Sequence, residues 1–216
     1  MRAQSLWREN RGGPSSRAAQ LEAVRQLAFQ LNPTLPLAAI ELHLSAYFAG
    51  HPRSLIPWGI GPIREVAPDF RVLALGPGPR CPGPVYASVG ACNVRPGVHL
   101  EFLISSPVAD PILVETLAMV TYYHHTRGLD VGHTFPIGRP WLPGASCEHF
   151  LVSLPYPFAP GLERAVVSTH EVRFLWLLPV YGSEVKYRHK TGLEGLEELL
   201  ESRAVDYLDI HRAPVA

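Results

Sequence analysis

The chain has 216 residues, which suits one domain with a tail, and a hydrophobic share of 47% supplies a sizeable core. Charged residues are only 18%, and Lys plus Arg equal Asp plus Glu at 19 each, so the basic excess of a nucleic-acid binder is missing, as is any Lys/Arg-rich run. Three cysteines without CxxC spacing make neither a disulfide framework nor a zinc knuckle, and no apolar run approaches the ~20 residues of a membrane span.

Residues 1–16 are polar, carry Gly12, Gly13 and Pro14, and read as a flexible N-terminal arm ahead of a single domain over 17–216. The start has no apolar stretch of the kind a secretory signal needs, so a soluble, cytoplasmic protein is expected. Ser16 is an N-cap residue type, and Leu21, Val24, Leu27 and Leu31 follow at helical spacing up to Pro33. A second helix fits Leu37 to Phe48, stopped by Gly50 and Pro52. Pro52, Pro57, Pro62 and Pro68 make the stretch over 52–68 a long connection.

Three strands are expected next, Phe70–Leu75, Val85–Ala91 and Val98–Ile104, joined by connections short enough for an antiparallel meander. The last alternates Val98, Leu100, Phe102 and Ile104 against His99, Glu101 and Leu103, the pattern of a half-buried strand. Asp110 and Pro111 mark a helix start, and Ile112–Thr126 presents Leu113, Leu117 and Val120, with Ile112, Thr116 and Met119 beside them, before Gly128. Strands are read at His133–Ile137, His149–Leu154 and Val172–Leu178, the first two flanking the loop Gly138–Ser146. Behind Pro179, Ser183 is an N-cap for a polar helix to about Lys190. Thr191 and Glu194 fit a capping box for a Leu-rich helix, Gly192 separates the two, and a short strand closes the chain. The fold class is α+β (mixed α/β), a central, mostly antiparallel sheet with helices packed on it.

Among chemical candidates, the ten histidines lack HExxH and HxH spacing, so neither metal nor other cofactor is expected. Cys147 and His149 lie two apart in strand-like sequence and would share a face. With His133 they define an alternative reading, a cysteine- or metal-dependent hydrolase, although cysteine-hydrolase signatures are missing. Glu197 and Glu198 read as a solvated helix face. Trp176, in the run Phe174-Leu175-Trp176-Leu177-Leu178, reads as core. Trp141 sits in Gly138-Arg139-Pro140-Trp141-Leu142-Pro143-Gly144, a proline-stiffened loop. Trp and Arg are the residue types of interface hot spots, so Arg139, Trp141 and Leu142, with Glu148 and Tyr156, are candidate partner contacts. Equally, Trp141 folds back as a lid on the core.

Pro179, Glu184, Gly192, Leu196, Val205, Asp209 and Arg212 give an order of elements that resembles the end of bacterial suppressor of fused domains. Gly132-His133-Thr134 looks like that family's mid-domain strand start, and Val98–Pro107 with Glu101 is similar to its sheet strand and following turn. A Thr-Ser-Gly-Met-Ser-like turn of the family is replaced here by Ala87-Ser88-Val89-Gly90-Ala91-Cys92. The resemblance spans roughly 35–215. It implies a mixed α/β domain without catalytic activity whose partner is another protein, not nucleic acid or membrane. Animal relatives hold a transcription factor in the cytoplasm. Bacterial single-domain relatives are thought to be immunity proteins that neutralise a polymorphic toxin, and that role is the closer inference for this chain.

Overall fold

Eight strands pair into one sheet in the order β1-β2-β3-β4-β8-β6-β5, with β7 also on β8. The computed structural model describes residue 19 and residues 34–158 and 160–216. The expected arm and the helix built on Leu21, Val24, Leu27 and Leu31 lie outside the described residues. In chain order the strands are β1 Arg53–Pro57, β2 Arg71–Leu75, β3 Val85–Val89, β4 Leu100–Ser105, β5 Thr134–Pro136, β6 His149–Ser153, β7 Arg164–Val167 and β8 His170–Val180. The helices are α1 Leu37–Tyr47, α2 Ile63–Val66, α3 Ile112–Arg127, α4 Pro160–Glu163 and α5 Gly182–Ser202. This is the expected α+β class. Among the described strands only β4 and β8 pair in parallel.

The antiparallel run β1–β4 contains the expected meander, lengthened by one strand. β1 lies within the proline-rich stretch read as a connection. Its one proline, Pro57, does not oppose this, because β1 is an edge strand and needs donors on one side only. β7 was also missed. Its burial alternates over Arg164–Val167, and it forms a hairpin with β8 across Ser168 and Thr169.

Both faces of the sheet are covered. Tyr86, Phe102, Ile104, Phe150, Val152, Leu175 and Leu177 pack with α3 residues Leu113, Leu117 and Val120. Leu73, Val85, Leu103, Leu151, Phe174, Trp176 and Leu178 pack with Ile40 and Leu44 of α1 and with Leu196 and Leu200 of α5. Central strands in a two-sided sheet are buried on both sides. Hence β4 is buried at every position, Glu101 included, and is not the half-buried strand its alternation suggests. In α3, Met119 is 38% exposed and lies outside the buried face.

The C-terminal third departs from expectation in detail. β8 continues through Pro179, whose carbonyl accepts from Arg212 Nη2 at 3.1 Å. α5 begins at Gly182, not behind a Ser183 cap, because Glu184 Oε2 reaches back to accept the Tyr181 N–H at 2.9 Å. Thr191 makes no capping box; its hydroxyl donates to the Tyr187 carbonyl at 3.1 Å. Gly192 breaks the helix at φ 85°, a backbone conformation costly for any residue with a Cβ. The closing strand is not formed: residues 203–216 run as turns and irregular chain.

Candidate functional site

Two buried polar clusters look like chemistry but hold the fold. Glu101 accepts from the Ser88 hydroxyl at 2.5 Å and from the backbone N–H groups of Gly90, Ala91 and Cys92 at 2.8, 3.2 and 3.2 Å. The β3–β4 ladder ends at Ala87↔Leu103, and beyond it the Ser88 hydroxyl accepts the Phe102 N–H at 2.8 Å. One carboxylate thus pins the turn after β3, where Gly90 takes φ 121°. In the second cluster, Glu184 receives both Arg212 Nη1 and Nη2 at 2.7 Å and the Val215 N–H at 3.1 Å, and the Tyr181 hydroxyl donates to the Arg212 carbonyl. This clamp fastens the tail to the start of α5.

A solvent-open groove of about 600 Å³ lies between β6, β8, α5 and the tail. Its floor is Ser153 of β6 with Trp176 and Leu178 of β8, which lie side by side because Ser153 pairs with Trp176. One wall is α5. The other is the tail, where Ala204 takes φ 48° and turns the chain so that the Val205 N–H bonds the Leu200 carbonyl at 3.2 Å. That reversal brings Tyr207 edge-on to the Trp176 ring, centroids 5.1 Å apart. Trp176 is core, as expected, at 5% exposure, and its indole N–H donates to Ser105 Oγ at 3.2 Å.

The α5 wall is acidic. Glu194, Glu197, Glu198 and Glu201 all line the groove, spaced to share one helix face. Glu197 is therefore not the freely solvated residue its sequence context suggests. It accepts from Ser153 Oγ at 3.1 Å and from the Tyr156 hydroxyl at 3.4 Å. Burial pushes its carboxyl above the usual range, against the pull of those two donors. A signal existed in the sequence: four glutamates at helical spacing near a helix end with no Lys or Arg among them.

The candidate contacts named from sequence are not brought together. Trp141 and Leu142 turn inward onto the α3 side of the core, 2% and 1% exposed, so Trp141 takes the covering role. Arg139 pairs with Glu115 of α3 at 3.2 Å, and Glu148 is exposed beside β6. Tyr156, 60% exposed, lies on the groove. Of the hydrolase residues, His133 is apart from Cys147 and from His149, the first residue of β6. His133 lies opposite Val152, while Cys147 lies past the other end of the β5–β6 ladder, its carbonyl accepting from the Trp141 N–H at 3.2 Å. Burial pushes the Cys147 thiol up to about 11, far from a reactive thiolate. Among the described residues no three His, Cys, Asp or Glu side chains form a metal set. Pro179, Glu184 and Arg212 of the family-like motif meet in the tail clamp. Asp209 Oδ1 accepts the His211 N–H at 2.8 Å just before it, and Gly192 is the break in α5.

The family model for Suppressor of fused protein (SUFU) matches residues 90–213. The chain belongs to the suppressor of fused family. A crystal structure from Neisseria gonorrhoeae FA 1090, described as a homolog of suppressor of fused, is 35% identical; the match covers 83% of this chain and 96% of that one at a TM-score of 0.75. Two further structures share the fold at lower identity. The Sufu-Fu complex matches at 14% identity and TM-score 0.63, covering 85% of this chain and 93% of that one. Drosophila Suppressor of Fused matches at 16% identity and TM-score 0.60, covering 86% of this chain and 52% of that one, so the present chain spans about half of it. No curated protein matches the sequence. No helix among the described residues is long and apolar enough to cross a membrane.

Proposed function

We propose that this suppressor of fused domain is a noncatalytic binding module that acts by capturing another protein, and that in its bacterial setting the partner is a toxin it neutralises. The observation that carries the reading is the character of the groove. Its floor is largely apolar, its mouth is open, and its polar groups are carboxylates and hydroxyls. An open trough of aromatic and aliphatic side chains with a charged rim is the anatomy of a protein-binding surface. Tyr156 and Tyr207 add residue types that carry interface energy. The family supports the same reading, since one related structure is a complex of Sufu with Fu. A cytoplasmic site of action fits three buried free cysteines.

The test is co-expression. The toxin that this reading expects beside the gene is induced in a bacterial host with and without the chain. Restored growth, together with recovery of a stable complex of the two proteins, is the expected result. Unabated killing in the presence of soluble, folded chain overturns the neutralising role.

A further inference from the structure

The acidic wall of the groove is poorly explained by the needs of the fold. Glu194 and Glu198, and likewise Glu197 and Glu201, are like charges one helical turn apart, an arrangement that destabilises a helix. Glu198 and Glu201 lie toward the C-terminus of the helical segment that follows the Gly192 break, near the negative end of its dipole, where cations are the favoured residues; the last turn holds none. No ion pair within the described residues engages any of them. Beside this uncompensated charge lie Trp176, Leu178, Leu200, Val205 and Tyr207, which give the groove an apolar lining. Trp176, Leu178 and Leu200 are under 9% exposed, so the lining is fixed by the core and does not need to form on binding.

We propose that the groove takes a basic amphipathic segment of the protein partner, with Lys or Arg side chains on the glutamates of α5 and apolar side chains on Trp176 and Tyr207. This rests on the binding reading above and adds the chemistry of the partner. The cations satisfy the stripe, and the Glu197 carboxylate, already oriented by Ser153 and Tyr156, meets the most deeply seated of them. A segment with apolar and basic residues at helical spacing matches both walls at once.

The probe is a fluorescent 14-residue Leu/Lys amphipathic helix, with a Leu/Glu counterpart as its charge reversal, followed by anisotropy with the full chain. The expected result is binding of the Leu/Lys peptide only, weakened at least about tenfold by the double variant Glu197→Gln/Glu201→Gln, and weakened by added salt. The control variant Glu65→Gln/Asp69→Asn removes two exposed acids from the opposite side of the sheet and is expected to change affinity less than about twofold. Equal weakening by both variants means general attraction to surface charge and overturns the proposal, as does binding of neither peptide. The protein partner from the growth assay separates the two claims. If it binds with unchanged affinity when Glu197 and Glu201 are neutral, the groove assignment fails and the binding function stands. If no partner is captured at all, the binding reading itself fails.

Discussion

Arg212 grips Glu184 through two hydrogen bonds of 2.7 Å, and both side chains are withdrawn from water. The pair joins the tail to the first turn of α5, 28 residues apart in sequence. Desolvating two charges is costly, so such a pair is weak evidence of net stabilisation, yet breaking it strands a charge in the interior. Arg212→Ala is therefore expected to cost roughly 3–5 kcal/mol in urea denaturation. The paired variant Glu184→Leu/Arg212→Met is expected to recover much of that. An unchanged midpoint for Arg212→Ala would show that the tail is not clamped.

Trp141 fills the α3 side of the core at 2% exposure, and its loop is stitched by hydrogen bonds from the Trp141 N–H to the Cys147 carbonyl and from the Ala145 N–H to the Leu142 carbonyl. Trp141→Ala is expected to cost about 3–5 kcal/mol, the usual range for an aromatic lost from a core. Affinity for the partner, measured on the folded fraction, is expected to hold. The reverse pattern, intact stability with lost affinity, would return the ring to the interface.

Glu101 is held by the Ser88 hydroxyl and three backbone N–H groups. Glu101→Gln keeps the shape but turns an NH2 group toward donors. A loss of about 1–3 kcal/mol is expected for the unsatisfied contacts. Hydrogen exchange at Gly90, Ala91 and Cys92 checks the cause, because their amides should lose protection. Unaltered exchange there would mean that the turn does not depend on Glu101.

Much of this architecture was legible in the sequence because two periodicities and a few terminators suffice for most of it. The buried face of α3 follows from Leu113, Leu117 and Val120, and its end from Gly128. The strand up to Leu178 and the break at Gly192 are equally readable. What stayed hidden depends on neighbours far along the chain. β1 is admitted despite its proline because it is an edge. Glu101 is buried because β8 and the turn after β3 close over it. The groove exists because Ala204 reverses the tail over Trp176, which no local pattern announces. Trp141 was ambiguous for the same reason: a Trp in a stiff loop faces in or out according to what packs beneath it.

His124 supplies a pH signature. Its Nδ1 accepts the Leu129 N–H at 2.9 Å, and it is fully buried beside the Phe102 ring. Burial, with Arg95 nearby, lowers its pKa from 6.5 to about 4. A base whose folded pKa is depressed contributes stability that is complete above its unfolded value and is lost as pH falls through the folded one. The contribution should therefore fade between about pH 6.5 and 4, by roughly 3 kcal/mol in all. Denaturation of the chain and of His124→Asn across that range checks this. The difference between them should shrink on acidification, and a difference constant with pH would rule His124 out as its source.

The central claim is that this chain works by occupancy and not by turnover. Titrating it into a fixed amount of the proposed toxin partner, in its active form, measures this directly. The account predicts that toxin activity falls linearly and reaches its floor at a fixed stoichiometric ratio, with the mass of the toxin unchanged and its activity regained on dissociating the complex. Complete and lasting inactivation by far less than one chain per toxin would contradict it, since only a catalyst acts in that way.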